Sequence, residues 1–153
     1  MTHRSTVVAL LALALTACTL KEEAGSKGKG IPAPPDVAAA PADAVRTPTG
    51  LASKILRVGL GSVHPGPHSQ VTAFYTGWTT DGKMFESVQP PAPPLAFKVD
   101  GVIAGWSEGL QLMFAGEKRR FWIPAALAYG EKPLDPNSPA GNLVFDIELI
   151  TVR

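Results

Sequence analysis

The sequence predicts an α+β fold, a curved antiparallel β-sheet wrapped around one short α-helix. Three observations lead there. The closing run LVFDIELITV sets Leu143, Phe145, Ile147 and Leu149 against Val144, Asp146, Glu148 and Ile150, so one face is apolar and the other partly charged, as in a half-buried antiparallel strand. Five further segments read as strands, and one stretch alone has helical spacing. Many strands with a single short helix fit one sheet curled over that helix.

In chain order, residues 1–20 read MTHRSTVVALLALALTACTL, with one Arg near the start, an apolar run from Val7 to Leu15 and small residues after it. The run is too short to span a bilayer, and the pattern predicts a signal peptide over 1–17. Cys18, the one cysteine of the chain, follows Leu-Thr-Ala, which resembles the bacterial lipobox and implies lipid attachment at Cys18. No disulfide can form within the chain, so the exported domain must depend on its core. From 18 to 50 the composition turns to Lys, Glu, Gly, Ala and Pro, too poor in large apolar side chains to offset ordering entropy. This predicts a tether, flexible where Gly-rich and semi-extended where Pro-rich.

Residues 51–153 suffice for one hydrophobic core and no more. Strands are expected over 53–58, 70–78, 83–86, 95–99 and 117–123, and Asp81-Gly82 is a hairpin-turn signal because Gly accepts positive φ and Asp tolerates it. The helix is expected over 105–114, with Trp106, Leu110 and Met113 on one face and Gly116 as its stop. Trp78 and Trp122 fall opposite Tyr75 and Phe121 by alternation and are expected to be partly exposed.

Several functions are disfavoured. Removing 1–17 takes away Arg4 and leaves 13 basic against 13 acidic residues, with no basic cluster suited to nucleic acid beyond Lys118-Arg119-Arg120, which reads as a solvated strand edge. His64 and His68 have i, i+4 spacing, but the intervening His-Pro-Gly-Pro-His cannot form the helix that would make a metal face, so both read as loop residues. Gly59-Leu-Gly61 lacks the context of a dinucleotide fingerprint and reads as a turn. No metal and no cofactor is expected. What stands out is a set of separated aromatics, Tyr75, Phe85, Trp106, Tyr129 and Phe145, with no nucleophile beside a base. Such a set suits an apolar pocket for a neutral substrate.

The ordered runs VTAFYTGWTTDGKMFES (71–87), VIAGW (102–106), LAYG (127–130) and LVFDIEL (143–149) closely resemble the FKBP family of peptidyl-prolyl cis-trans isomerases over about residues 51–153. The resemblance implies an FKBP-like sheet around one helix, with the ligand pocket between them. It implies a pocket with Trp106 as platform, Phe85 and Phe145 as walls, and Tyr75, Leu95, Phe97, Val102 and Ile103 around them. The Tyr129 hydroxyl and the Ile103 backbone N–H would donate to substrate carbonyls. Two positions depart from the pattern. Glu86 stands where the family has Asp, with no basic residue in the following SVQPPAPP, so its carboxylate is expected to be longer and less anchored. The segment EKPLDPNSPAGN lacks the family's Ile-Pro-Pro stretch.

The function so implied is isomerisation of X–Pro bonds in exported proteins by a lipid-anchored monomer of the cell envelope. Proline-containing polypeptides would be its partners and rapamycin-type macrolides its ligands. Thr19 after Cys18 gives no Asp-type inner-membrane retention signal, which points to an outer membrane or surface. The alternatives are a low-turnover proline-binding or chaperone module, and a structural envelope lipoprotein that uses the fold as a spacer.

Overall fold

The computed structural model describes residues 30–153. The expected signal peptide, Cys18 and the start of the tether lie outside the described residues. Seven strands form one antiparallel sheet: β1 Val45–Arg46, β2 Ala52–Arg57, β3 Gln70–Thr79, β4 Met84–Val88, β5 Leu95–Lys98, β6 Lys118–Ile123 and β7 Leu143–Val152. Their order is β1-β2-β6-β7-β3-β4, and β5 pairs with the first half of β3 along the edge whose second half holds β4. The sheet is not closed into a barrel. The long central pair, β3 and β7, runs in register from Val71 opposite Val152 to Thr79 opposite Leu143, with one irregularity between Thr72 and Ala73.

One short helix, α1 Ala104–Leu110, lies on the concave face. The core between sheet and helix takes alternate residues, as period-two patterning requires: Val71, Ala73 and Tyr75 from β3, Phe121 and Ile123 from β6, and Leu143, Phe145, Ile147 and Leu149 from β7. Trp106, Leu110 and Met113 meet them from the other side. The helix is shorter than its periodicity suggests. Beyond Leu110 the backbone tightens to i→i+3 bonds, Leu112 to Gly109 and Met113 to Leu110, and the chain turns away at Gly116, whose φ is +83°. Met113 nevertheless reaches the core, so its spacing was a sound signal of burial though not of helix.

The convex face departs from expectation. Residues 31–50 do not stand off as a free tether; they lie on this face and include β1. Trp78 Nε1 donates to the Ile31 carbonyl at 2.9 Å and Trp122 Nε1 to the Asp36 carbonyl at 2.8 Å. Ala44, Ala52, Trp122 and Val144 form a second apolar cluster with Val37 and Ala40 against it. Trp78 and Trp122 are therefore 2% and 7% exposed rather than partly open. The basic run is no solvated edge either, because β6 is an interior strand between β2 and β7. Arg120 opposes Asp146 in register, grips it with Nε and Nη2 at 2.6 and 2.9 Å, and reaches Asp36 with Nη1 at 2.7 Å. Arg119 is paired with the buried Glu117.

Candidate active site

The floor is set by the start of α1. A single 3-10 turn, Val99–Gly101, leads into it, and the Ser107 hydroxyl donates back to the Val99 carbonyl at 2.6 Å, tying the turn to the helix. The Ile103 carbonyl accepts the first helical bonds, from the N–H groups of Trp106 at 2.9 Å and Ser107 at 3.0 Å. The Ile103 N–H has no acceptor among the described residues. Gly105 and Gly109, one turn apart, let the helix approach β6 closely. A Cβ at Gly105 would collide with Ile123, and one at Gly109 would lie 2.7 Å from Phe121 Cε1. With the helix held there, Trp106 is pressed into the concavity.

Three rings surround the Trp106 indole. Tyr75 from β3, Phe97 from β5 and Phe145 from β7 stand at centroid distances of 5.1, 5.2 and 5.4 Å, steeply tilted at 86°, 66° and 88°. Edge-to-face geometry of this kind adds about 0.5–1.5 kcal/mol per pair beyond burial. The indole N–H has no acceptor among the described residues, a burial that ordinarily costs about 1–3 kcal/mol.

The strand β4 carries two site residues on one face because it bulges. Glu86 pairs with Gly77 and Met84 with Trp78, so Phe85 is the extra residue between them. A bulge of this kind re-aims side chains that strict alternation would send to opposite faces. Gly77 then has no room for a side chain, since a Cβ there would lie 2.6 Å from Phe85 Cζ and 2.7 Å from Phe145 Cε1. This is the physical reason for glycine in the Tyr75-Thr76-Gly77 run.

The polar part is small. The Tyr75 hydroxyl donates to Glu86 Oε1 at 2.7 Å, so the longer carboxylate is anchored after all, by a phenol rather than a base. Burial pushes the Tyr75 phenol well above its usual range, and the hydrogen bond and charge of Glu86 push it further. Burial and then the Glu86 charge raise Tyr129 too. Both phenols therefore stay protonated donors through neutral pH.

Tyr75, Glu86, Phe97, Val102, Ile103, Trp106, Tyr129 and Phe145 line one cavity of about 530 Å³, together with Gly101, which sequence reasoning did not single out. Two residues fall outside it. Phe85 stands behind Phe145, with centroids 5.5 Å apart, and faces a neighbouring cavity. Leu95 pairs with Ala73 at the sheet edge and is 42% exposed. The resemblance had put both Leu95 and Phe97 at the pocket, but of the two only Phe97 meets Tyr75 and Trp106. Gly101 left no signal, having no side chain to pattern.

A model of the FKBP-type peptidyl-prolyl cis-trans isomerase family matches residues 61–150. The outer membrane protein MIP of Legionella longbeachae is 43% identical over 107 residues, covering 69% of this chain and 46% of that protein. The FKBP-type peptidyl-prolyl cis-trans isomerase FkpA of Escherichia coli K12 is 39% identical over 105 residues, covering 69% of this chain and 38% of its own length. The crystal structure of FkpA from Escherichia coli superposes with a TM-score of 0.66 at 34% identity, over 84% of this chain and 54% of that one. A peptidyl-prolyl cis-trans isomerase from Pseudomonas syringae pv. tomato gives 0.66 at 34% identity, over 74% and 83%. The chain spans less than half the length of the two curated relatives it matches here.

Proposed function

The chain belongs to the family of FKBP-type peptidyl-prolyl cis-trans isomerases, and from that premise we propose that it interconverts X–Pro bonds of exported polypeptides from an anchored position in the cell envelope. The observation that carries this reading is the indole floor of Trp106 ringed by Tyr75, Phe97 and Phe145, with few polar groups around it.

An X–Pro bond turns over a barrier of about 18–20 kcal/mol because amide resonance is lost as it twists. No bond is made or broken. A site need only hold the twisted amide better than either planar form. For a millionfold gain it must supply about 8 kcal/mol of such preference. The prolyl ring would rest on Trp106, gripped by Phe97 and Phe145. Removal from water disfavours the planar, charge-separated resonance form and so favours the twist. The Tyr129 hydroxyl and the Ile103 N–H are the donors available to hold the flanking carbonyls while the preceding residue rotates. Glu86, held by Tyr75, contributes a fixed negative charge at the rim and orients the Tyr75 ring against the floor. Rapamycin-type macrolides would take the place of the prolyl segment.

A protease-coupled assay on X–Pro tetrapeptides with varied X tests the activity and separates an enzyme from a proline-binding module. We expect turnover with a preference for apolar X. Binding of the peptides without turnover would reject the isomerase.

Envelope anchoring is proposed from the leader and Cys18. Stable attachment takes more than one acyl chain. Cys18→Ser is expected to block processing and lipid attachment, so that the variant keeps its leader, and phase partitioning is compared with a leaderless chain to separate the leader from the anchor. A wild-type protein that stays in the aqueous phase would exclude the anchor. Among the described residues no helix is long and apolar enough to cross a membrane.

A further inference from the structure

A second cavity, about 720 Å³, adjoins the aromatic one. One wall is the β3–β4 turn with Asp81 and Lys83, the other is the 131–142 loop with Glu131 and Asn137, and Phe85 lies between them. The two cavities are joined twice. Phe85 stacks edge-on to Phe145, a wall of the first cavity, and Glu131 follows two residues after Tyr129 on the same loop. The loop is closed at its base, where Gly141 N–H donates to the Gly130 carbonyl at 2.9 Å, so Glu131 is kept beside the first site. Ring-to-ring steps of 5.4 Å from Trp106 to Phe145 and 5.5 Å from Phe145 to Phe85 separate the prolyl floor from the second cavity. An extended chain covers that path in about three residues.

The charges favour one kind of occupant. The Asp81 carboxylate accepts the Thr79 hydroxyl and the Lys83 backbone N–H, while the Lys83 ammonium makes no ion pair among the described residues, so the charged groups of the lining, Asp81, Lys83 and Glu131, leave the cavity with one net negative charge. Glu131 makes no ion pair among the described residues. We propose that this cavity is a subsite for a Lys or Arg side chain of the bound polypeptide, about three residues from the proline being isomerised, with Phe85 under its aliphatic stem and Glu131 as its counter-charge. The proposal rests on the isomerase reading above.

The test uses the full chain and matched proline peptides carrying Lys, Ala or Glu three residues before or after the proline. For one of the two placements, the Lys peptide is expected to exceed the Ala peptide in kcat/KM by about two- to fivefold, the range of an exposed charge pair. The gain should lie in KM and shrink at high salt. The Glu peptide should fall below Ala, and Glu131→Lys should invert the ranking. In amide chemical-shift mapping the Lys peptide should move Lys83 and Glu131 as well as Trp106. Turnover of the Ala peptide with a flat ranking in both placements, or a ranking that Glu131→Lys leaves untouched, overturns the subsite and leaves the isomerase standing. Absence of turnover on every peptide overturns the isomerase reading instead. The shifts then decide the subsite alone, and silence at Lys83 and Glu131 with the Lys peptide rejects it.

Discussion

The two tyrosines of the chain, Tyr75 and Tyr129, both line the aromatic cavity, and Glu86 acts on both. The ultraviolet titration of tyrosine therefore reads this site and nothing else. Both phenols should ionise above the ordinary value of about 10, and Glu86→Gln should lower both by removing the carboxylate charge, with burial keeping them elevated. The sign for stability follows from proton counts. Above about pH 10 the unfolded chain loses its phenolic protons while the folded one keeps them, so the stability these burials confer is intact below that pH and falls as pH rises toward the folded values. Catalysis should depend on Glu86 much less than titration does. If grip and desolvation lower the barrier, Glu86→Gln costs less than tenfold in kcat/KM, under about 1.4 kcal/mol, while Tyr129→Ala and Phe145→Ala cost more. A hundredfold loss in Glu86→Gln with Phe145→Ala nearly silent would make the carboxylate the principal group.

At the scale of elements, the close seating of α1 on β6 rests on Gly105 and Gly109, and one substitution separates packing from propensity. Alanine is the better helix former by about 0.8–1.0 kcal/mol, so an open position would gain from Gly109→Ala. Here the new methyl meets Phe121 at 2.7 Å in a filled core. Overpacking of this kind costs about 1–3 kcal/mol. Gly109→Ala is thus expected to lower the denaturant midpoint and to reduce kcat/KM by tilting Trp106; a raised midpoint would refute the tight seating. The strands were legible because alternation is a property of each strand alone, and β7 could be read to the residue. The β4 bulge was not, since it shows only as an extra residue opposite Gly77 once the pairing is known. Nor was β1, two residues long and defined by its pairing with β2. Leu95, which the resemblance placed at the pocket, sits instead at the sheet edge opposite Ala73 and is 42% exposed, because which side chain of a strand reaches the cavity depends on where the strand ends and not on its alternation.

For the whole molecule, residues 31–50, expected to belong to the tether, pack against the convex face of the sheet. Composition hid this, because Pro and Ala supply little apolar area and so read as spacer. The signal that would have revealed it lay elsewhere, in Trp78 and Trp122 on a face that otherwise reads as solvated: two indoles on a convex sheet call for a cover. The cover holds both indole N–H groups on backbone carbonyls and completes the Arg120 network with Asp36. It also shortens the proposed link to the membrane, since the chain from Cys18 to Ile31 can span at most about 45 Å fully extended. A chain beginning at Leu51 should consequently be less stable than one beginning at Gly30. Uncovering two indoles forfeits a few kcal/mol of burial, and freedom regained by some twenty residues returns part of it, so a net loss of about 1–3 kcal/mol is expected. In a domain of this size that lowers the melting temperature by about 5–15 °C. The fluorescence of the shortened chain should shift to the red as Trp78 and Trp122 meet water, while Trp106, on the opposite face, keeps its surroundings and X–Pro turnover persists wherever the chain stays folded. Asp36→Ala, which leaves the cover in place but removes one carboxylate from Arg120, should show a smaller loss in the same direction. Identical melting and emission for the long and short chains would mean that residues 31–50 do not hold to the sheet in solution.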